Sequence, residues 1–195
     1  MEKEVLKIFP TLVHYYRNVL SPVQLNTIRE HCMASACGIH GAFIGESKSS
    51  FSKESRLLDL LEVRHESLKG LCSGLAALMA DYAKQYGFDS VKLTNSWFNI
   101  QKPGSVLKHH VHPDSKVSAA LYVQTDSLSS KLFLENPNVG LNYIRPSNPS
   151  EFMFEFVQFQ PNPGDLILFP SWIKHGSGFE ASHSENRIVI SINAA

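Results

Sequence analysis

Pro161-Asn162-Pro163-Gly164-Asp165-Leu166-Ile167-Leu168-Phe169-Pro170-Ser171-Trp172-Ile173-Lys174-His175 is a turn, a strand and a corner written in one line. Pro163-Gly164 supplies the turn, Leu166 to Phe169 supply a short apolar strand, and Pro170, Ser171 and Trp172 make an aromatic-rich corner that ends on His175. This strand is one of about eight strand-like runs, over 91–101, 106–112, 118–125, 131–135, 152–160, 165–169, 175–179 and 187–193, separated by Gly, Pro, Asn and Ser turns. Many short strands at near-regular spacing, with no helix-length insert between them, predict an all-β sandwich or barrel, and eight strands suit a jelly roll. The longest break, 136–150, holds three prolines and four asparagines and suits a loop over the barrel mouth.

The amino-terminal part reads differently. Residues 5–9 and 12–16 are rich in β-branched and aromatic residues, broken by Pro10, and predict one or two edge strands. Ser21-Pro22-Val23-Gln24 then announces a helix to about Ala34: serine caps the free amides, proline at the first helical position loses nothing, and Gln24 completes a capping box. Gly, Ser and Lys dominate 38–55, which predicts a mobile loop or lid. A second helix is expected over 66–86, where Leu68, Leu71, Leu75, Leu78, Met79 and Tyr82 recur at three- and four-residue spacing before Gly87; this stripe suits packing on a sheet rather than a cofactor. The whole, 1–195, is expected to form a single domain with strand and supporting helices over 1–90 and a jelly-roll core over 91–195.

Composition narrows the function classes. Lys plus Arg equals Asp plus Glu at 18 each, so no overall field exists to hold a phosphate backbone or an anionic membrane, and general nucleic-acid binding is not expected. Cys32, Cys37 and Cys72 are odd in number and lack any CxxC pairing, which suggests reduced, inert thiols. The charged start Met1-Glu2-Lys3-Glu4 leads into a mixed segment rather than a signal core, and no run approaches a membrane span. A soluble, cytoplasmic protein is the expectation.

Three of nine histidines fall in Lys108-His109-His110-Val111-His112-Pro113-Asp114. In an extended strand, residues two apart share a face, so His110 and His112 present two imidazoles side by side. Neutral imidazole suits iron, copper or zinc rather than magnesium or calcium. Adjacent histidines are also common in solvated loops, so spacing alone does not decide. In a jelly roll the second and seventh strands meet at one end of the barrel, which brings His110 and His112 to face His175. Three such ligands on one face of a cation leave the other face open, as in non-haem Fe(II) oxygenases.

From about Trp97 to Asn193 the sequence resembles the Fe(II)- and 2-oxoglutarate-dependent oxygenase superfamily, most of all a little-characterised subgroup with a His-x-His-Pro motif. The residues that carry the resemblance are Trp97 and Asn99, Pro103 and Gly104, His110, His112 and Pro113, Tyr122 and Val123, Pro161 through His175, and Arg187, Ser191 and Asn193. It implies a double-stranded β-helix, a cupin-like barrel with flanking amino-terminal helices, holding Fe(II) with 2-oxoglutarate as cosubstrate. It maps the first metal ligand to His110, the last to His175, and the clamp on the far carboxylate of 2-oxoglutarate to Arg187, whose planar guanidinium can make two parallel hydrogen bonds. Asn99, Tyr122 and Ser191 are further candidates for cosubstrate contacts; the plain alternatives are a surface ion pair for Arg187 and simple core for Trp97, Trp172 and Tyr122.

The superfamily usually has His-x-Asp, and here the second position is His112. Either three histidines form the triad, or the register moves to His112-Pro113-Asp114 and Asp114 is the third ligand; Asp114 can also serve as an acceptor orienting an imidazole. The activity implied is hydroxylation of an unidentified small molecule or protein side chain with release of succinate and carbon dioxide, by a chain that acts alone or as a homodimer. Two other readings stand beside it: a cupin-like three-histidine dioxygenase without 2-oxoglutarate, and a non-catalytic jelly-roll binding module.

Overall fold

The computed structural model describes residues 3–4, 9–35, 37–138, 140, 143 and 146–195. In chain order the elements are β1 (His14–Tyr16), α1 (Pro22–Ala34), β2 (Phe43–Ile44), β3 (Ser47–Ser49), α2 (Leu57–Arg64), a 3-10 turn (Glu66–Leu68), α3 (Leu71–Gln85), β4 (Leu93–Gln101), β5 (Val106–Leu107), β6 (Val117–Gln124), β7 (Leu132–Glu135), β8 (Phe156–Phe159), β9 (Leu166–Pro170), β10 (His175–Gly176) and β11 (Arg187–Ala194). Six strands make the main sheet in the order β1-β9-β6-β11-β4-β3, three make a smaller sheet β10-β7-β8, and β2 pairs with β5. All these ladders are antiparallel, and the expected jelly roll is the architecture formed.

Both faces of the main sheet are covered, and the strand period of two sorts the side chains between them. Phe98, Ile100, Leu121, Val123, Ile188, Ile190 and Ile192 face the helices and pack with Ile28, Leu58, Leu61, Leu75, Met79 and Tyr82. The alternate positions Ala120, Tyr122 and Val189 face the small sheet and pack with Leu132, Leu134, Phe169 and Ile173. Each large apolar side chain buried this way contributes roughly 1.5–3 kcal/mol. The same alternation sends Trp97, Asn99, Gln101, Arg187, Ser191 and Asn193 toward the barrel interior, where a site can be built.

Helix α1 begins as expected: the Gln24 amide donates to Ser21 Oγ at 3.3 Å and the Ser21 amide donates to Gln24 Oε1 at 2.9 Å. The expected helix over 66–86 is instead the 3-10 turn and α3, because Gly70 takes a left-handed φ of 85° that interrupts the helical ladder, and α2 precedes it as a helix the sequence did not announce, ending where His65 is extended. The segment 38–55, expected as a mobile loop, carries β2 and β3. Ser47 and Ser49 are buried where β3 extends the main sheet beyond β4, and only Lys48 between them is exposed. Small polar residues fill that edge, so no apolar alternation announced it. The strand expected over 5–9 falls almost entirely outside the described residues; of the second candidate, 14–16 form β1. The loop 136–150 falls partly outside them. Among the described residues no helix is long and apolar enough to cross a membrane.

The short strand β10 is clamped against its surroundings at Gly176, where an added Cβ would meet the His109 ring and lie 2.8 Å from the Leu107 carbonyl oxygen. Gly176→Ala is therefore expected to lower stability by about 1–3 kcal/mol through overpacking. Urea unfolding checks this; an unchanged midpoint would show that the ring gives way freely.

Candidate metal centre

His110 and His175 come from distant parts of the chain and are joined by their backbones. The His110 amide donates to the His175 carbonyl at 2.9 Å, and the His175 amide donates back at 3.0 Å. An antiparallel pair exchanging both bonds points its two side chains the same way, and the ring centroids stand 4.4 Å apart. A further bond, from the His112 amide to the Ser171 carbonyl at 2.9 Å, fixes the next residue of the same face. One potential ligand atom from each of His110, His112 and His175 lies within 4.8 Å of the others, so the three can hold one metal ion.

The ring hydrogen bonds set which nitrogens are free. Nδ1–H of His110 donates to the Lys108 carbonyl at 2.8 Å, and Nδ1–H of His175 donates to the Ile173 carbonyl at 3.0 Å. A carbonyl only accepts, so each Nε2 keeps its lone pair. Nδ1 of His112 lies 2.6 Å from Asn193 Oδ1. Nε2 of His110 and Nε2 of His112 are 3.1 Å apart. An octahedral ion with metal–nitrogen bonds of about 2.1 Å holds neighbouring nitrogens about 3.0 Å apart, so this spacing is that of two adjacent coordination positions.

Burial keeps the rings neutral. It pushes His112 down to about 4 against the pull of its bond to Asn193, and it lowers His110 and His175 as well, with the mutual repulsion of the rings adding to the effect on His175. Neutral imidazole is the form that binds metal.

Arg187 closes the other end of the same pocket, which is lined among others by Trp97, Asn99, Tyr122, Ser191 and the three histidines. Its guanidinium is buried, donates to Gln101 Oε1 across the β4–β11 ladder, and sits 5.3 Å above the Tyr122 ring. Among the described residues no carboxylate lies within 4.0 Å of it, and its Nε–H has no partner. A surface ion pair is therefore not what Arg187 makes. Burial pushes the Tyr122 hydroxyl up to about 12, so it remains a donor at neutral pH. Asn99 donates to Ser191 Oγ at 3.2 Å and accepts from Ser49 Oγ at 2.8 Å.

Asp114 sits on the exposed turn after His112, outside the cluster. Of the strand expected over 106–112 only Val106–Leu107 forms, as β5, with His110 adding a single bridge to His175, and His109 faces away from the cluster with its Nδ1 on Glu135 and Lys174 Nζ 3.1 Å from the same carboxylate. Trp97 and Tyr122 are both core and pocket wall, whereas Trp172 is half exposed and does not line the pocket.

Residues 95–193, half of the chain, match the family described as "Putative 2OG-Fe(II) oxygenase". The chain belongs to this oxygenase family. No curated protein sequence matches it significantly. Among solved structures it is similar to a Pseudomonas putida prolyl-4-hydroxylase, at 12% identity and a TM-score of 0.63, over 94% of this chain and 92% of that one. It is also similar to HygX from Streptomyces hygroscopicus with nickel, 2-oxoglutarate and hygromycin B bound, at 13% identity and 0.59, over 95% and 83%. A Trichoplax adhaerens prolyl hydroxylase in complex with a hypoxia inducible factor peptide fragment follows at 15% identity and 0.63, over 93% and 82%. At such identities the likeness is one of fold.

Sequence reading of this oxygenase missed His40, Phe43 and Gln101. His40 and Phe43 reach the pocket from the 38–55 segment, with the His40 ring 4.2 Å from Phe51 and 6.2 Å from Trp97. Gln101 was readable only through register, since it stands opposite Arg187.

The neutral rings have a consequence for the metal-free oxygenase. In the unfolded chain each histidine takes a proton below about pH 6.5, while the folded protein resists it, so stability is full above that pH and falls as the pH drops toward the folded value. For His112, held near 4, the loss is roughly 3 kcal/mol. Urea midpoints at pH 7 and 4.5 are expected to fall accordingly; equal midpoints would mean that the rings take up protons without cost.

Proposed function

We propose that the protein is an Fe(II)- and 2-oxoglutarate-dependent dioxygenase that hydroxylates its substrate and releases succinate and carbon dioxide. The observation that carries this reading is one pocket with converging imidazoles at one end and, at the other, a buried guanidinium that has no carboxylate partner among the described residues. In this reading His110, His112 and His175 hold the iron through Nε2, and Arg187 receives the far carboxylate of the diacid. Asn99, Tyr122 and Ser191 line the space between and offer it hydrogen bonds. When bound, iron and 2-oxoglutarate supply the oxidising power that activates dioxygen.

The protein's own work is placement and charge. Three neutral imidazoles leave the double positive charge of the ion uncompensated, and Arg187 adds another. Burying that guanidinium costs free energy unless an anion meets it. A dianionic cosubstrate answers both ends at once. Tyr122 underlies the guanidinium and Gln101 fixes its tilt, so a carboxylate arriving at its free edge meets donors already aimed. The apolar walls, Phe43, Leu107, Ala120, Leu132, Phe169 and Val189, exclude water from the chemistry. A three-histidine dioxygenase without 2-oxoglutarate matches the donor set equally well and leaves Arg187 without an anion. His40 and Phe43 make the 38–55 segment the place where substrate, a small molecule or a protein side chain, is recognised. Three unpaired cysteines, of which burial pushes Cys32 and Cys72 up to about 12, suit a reducing cytoplasmic compartment.

Anaerobic mixing with Fe(II) and 2-oxoglutarate is expected to give a visible charge-transfer band that neither gives alone. Arg187→Ala should weaken 2-oxoglutarate binding by about 30-fold or more, which corresponds to about 2 kcal/mol for removing one partner of a desolvated charge pair. No band, together with unchanged 2-oxoglutarate binding in the variant, would overturn the reading. Metal analysis supplies a separate check: wild type should retain one equivalent of Fe(II) and His175→Ala well below that, and equal contents would remove the site.

A further inference from the structure

We propose that Asn193 is the positioning residue that makes His112 a metal ligand, by accepting the proton of Nδ1 and leaving Nε2 free; this rests on the metal site proposed above. Asn193 Oδ1 lies 2.6 Å from His112 Nδ1 and 2.8 Å from Ser118 Oγ, and Ser118 Oγ lies 2.8 Å from Ser171 Oγ. The chain of donors runs from Ser171 through Ser118 to the amide oxygen, which His112 meets from the other side. His110 and His175 find their acceptors in backbone carbonyls within two residues of themselves. His112 alone depends on side chains of other strands: the Asn193 amide oxygen, 81 residues away, and the Ser118 hydroxyl, whose Oγ also lies 3.1 Å from Nδ1 and gives its proton to the Asn193 oxygen.

The placement of Asn193 is a feature of the sheet. Its neighbours across the ladders are Asn95 on β4 and Ser118 on β6, and the β4 pairing slips immediately after it, from Asn193 opposite Asn95 to Ala194 opposite Leu93. Thr94 is the extra residue, and its hydroxyl donates to the Asn193 carbonyl at 3.2 Å. Bulges of this kind re-aim the side chain beside them.

The amide orientation decides whether the site is open. With the oxygen toward His112, its Nε2 carries a lone pair 3.1 Å from that of His110, a pair of facing lone pairs that a cation between them would satisfy. With the amide reversed, the proton would move to Nε2 and His112 would donate to His110, a closed pair with no place for an ion. Asparagine is also neutral. A carboxylate there would lend negative charge to the imidazole, so Asn193 orients the ring without offsetting the charge of the ion.

The test needs no turnover. Long-range 1H–15N spectra of the metal-free protein, with His112 assigned by comparison with His112→Gln, report the tautomer, and Co(II) titration without 2-oxoglutarate reports metal affinity. Wild type is expected to show His112 as the Nδ1–H form. Asn193→Leu should lose that single form and weaken Co(II) binding by about 10- to 100-fold. Asn193→Asp keeps an acceptor and is expected to retain the Nδ1–H form and bind Co(II) at least as tightly as wild type. This second variant also decides the matter if the first does not fold, because a merely structural asparagine predicts weaker Co(II) binding in both. His112 found as the Nε2–H form in wild type, or Asn193→Asp binding Co(II) more weakly than wild type, would overturn the assignment. Failure of the metal site itself is distinguishable: wild type would then take up no Co(II) while the tautomer remained fixed by Asn193.

Discussion

The pair of backbone hydrogen bonds between His110 and His175 is the constraint on which the site depends. Those two residues form an isolated bridge between irregular chain around His110 and the first residue of the two-residue strand β10. A longer ladder would be stiffer, yet it would also place further side chains where the open face of an ion must be. The bridge gives the geometry of a hydrogen-bonded antiparallel pair, with neighbouring side chains on one face, and no more. Its firmness comes from around it: β10 pairs with β7, Gly176 has no room for a side chain, and the His112 amide is tied to Ser171.

Charge is the second organising fact. The pocket gathers the three clustered imidazoles, a fourth from His40 and a guanidinium, and among the described residues no carboxylate lines it. In most buried sites a positive group is matched by an acid, because an unmatched buried charge is costly. Here matching is left to what binds. A site of this kind repels simple cations other than those imidazole can ligate, and it favours small dianions long enough to reach from ion to guanidinium. Selection by length and charge follows from the wall residues being apolar and the two polar ends being fixed by backbone pairing, His175 on β10 against β7 and Arg187 on β11 against β4.

Much of this was legible in the chain, for reasons that particular residues make plain. Ser21-Pro22-Val23-Gln24 starts a helix by local chemistry alone, and α1 begins there. The runs around Leu121, Leu168 and Ile190 are apolar at successive positions because both sheet faces are covered, and they could be placed without knowing which face was which. The two-residue spacing of His110 and His112 was readable as a shared face, although what holds it is not a full strand but backbone bonds from His110 to His175 and from His112 to Ser171, with His109 turned away toward Glu135. What failed to show depended on contacts distant in sequence. Ser47 and Ser49 form a sheet edge with no apolar residue to mark it, and Gly70 divides one helical pattern into separate elements through a backbone angle that periodicity does not register. Asp114 follows His112 at the correct spacing for a shared face, but the chain turns after Pro113 and spends the spacing on a corner. Gln101 and His40 acquire meaning only through the ladder and the fold of the 38–55 segment.

That segment bears on how substrate is met. Read from composition it is a lid, free to close and open. In the structure β2 is bonded to β5 and β3 to β4, and the Gly38 and Ser49 backbones bridge each other with two bonds of 2.9 Å. His40 thus lies inside a closed hairpin-like frame, its ring against Phe51 and Trp97. A recognition surface held in this way loses little conformational freedom when it binds, so more of each contact appears as affinity. The frame is also polar and small-sided, built from Gly38, Ser47 and Ser49 rather than from large apolar residues, which lets the aromatic rings it carries turn toward the pocket instead of being consumed in packing the frame itself. A mobile lid would have to close over the pocket; this mouth holds His40 and Phe43 against it through paired strands.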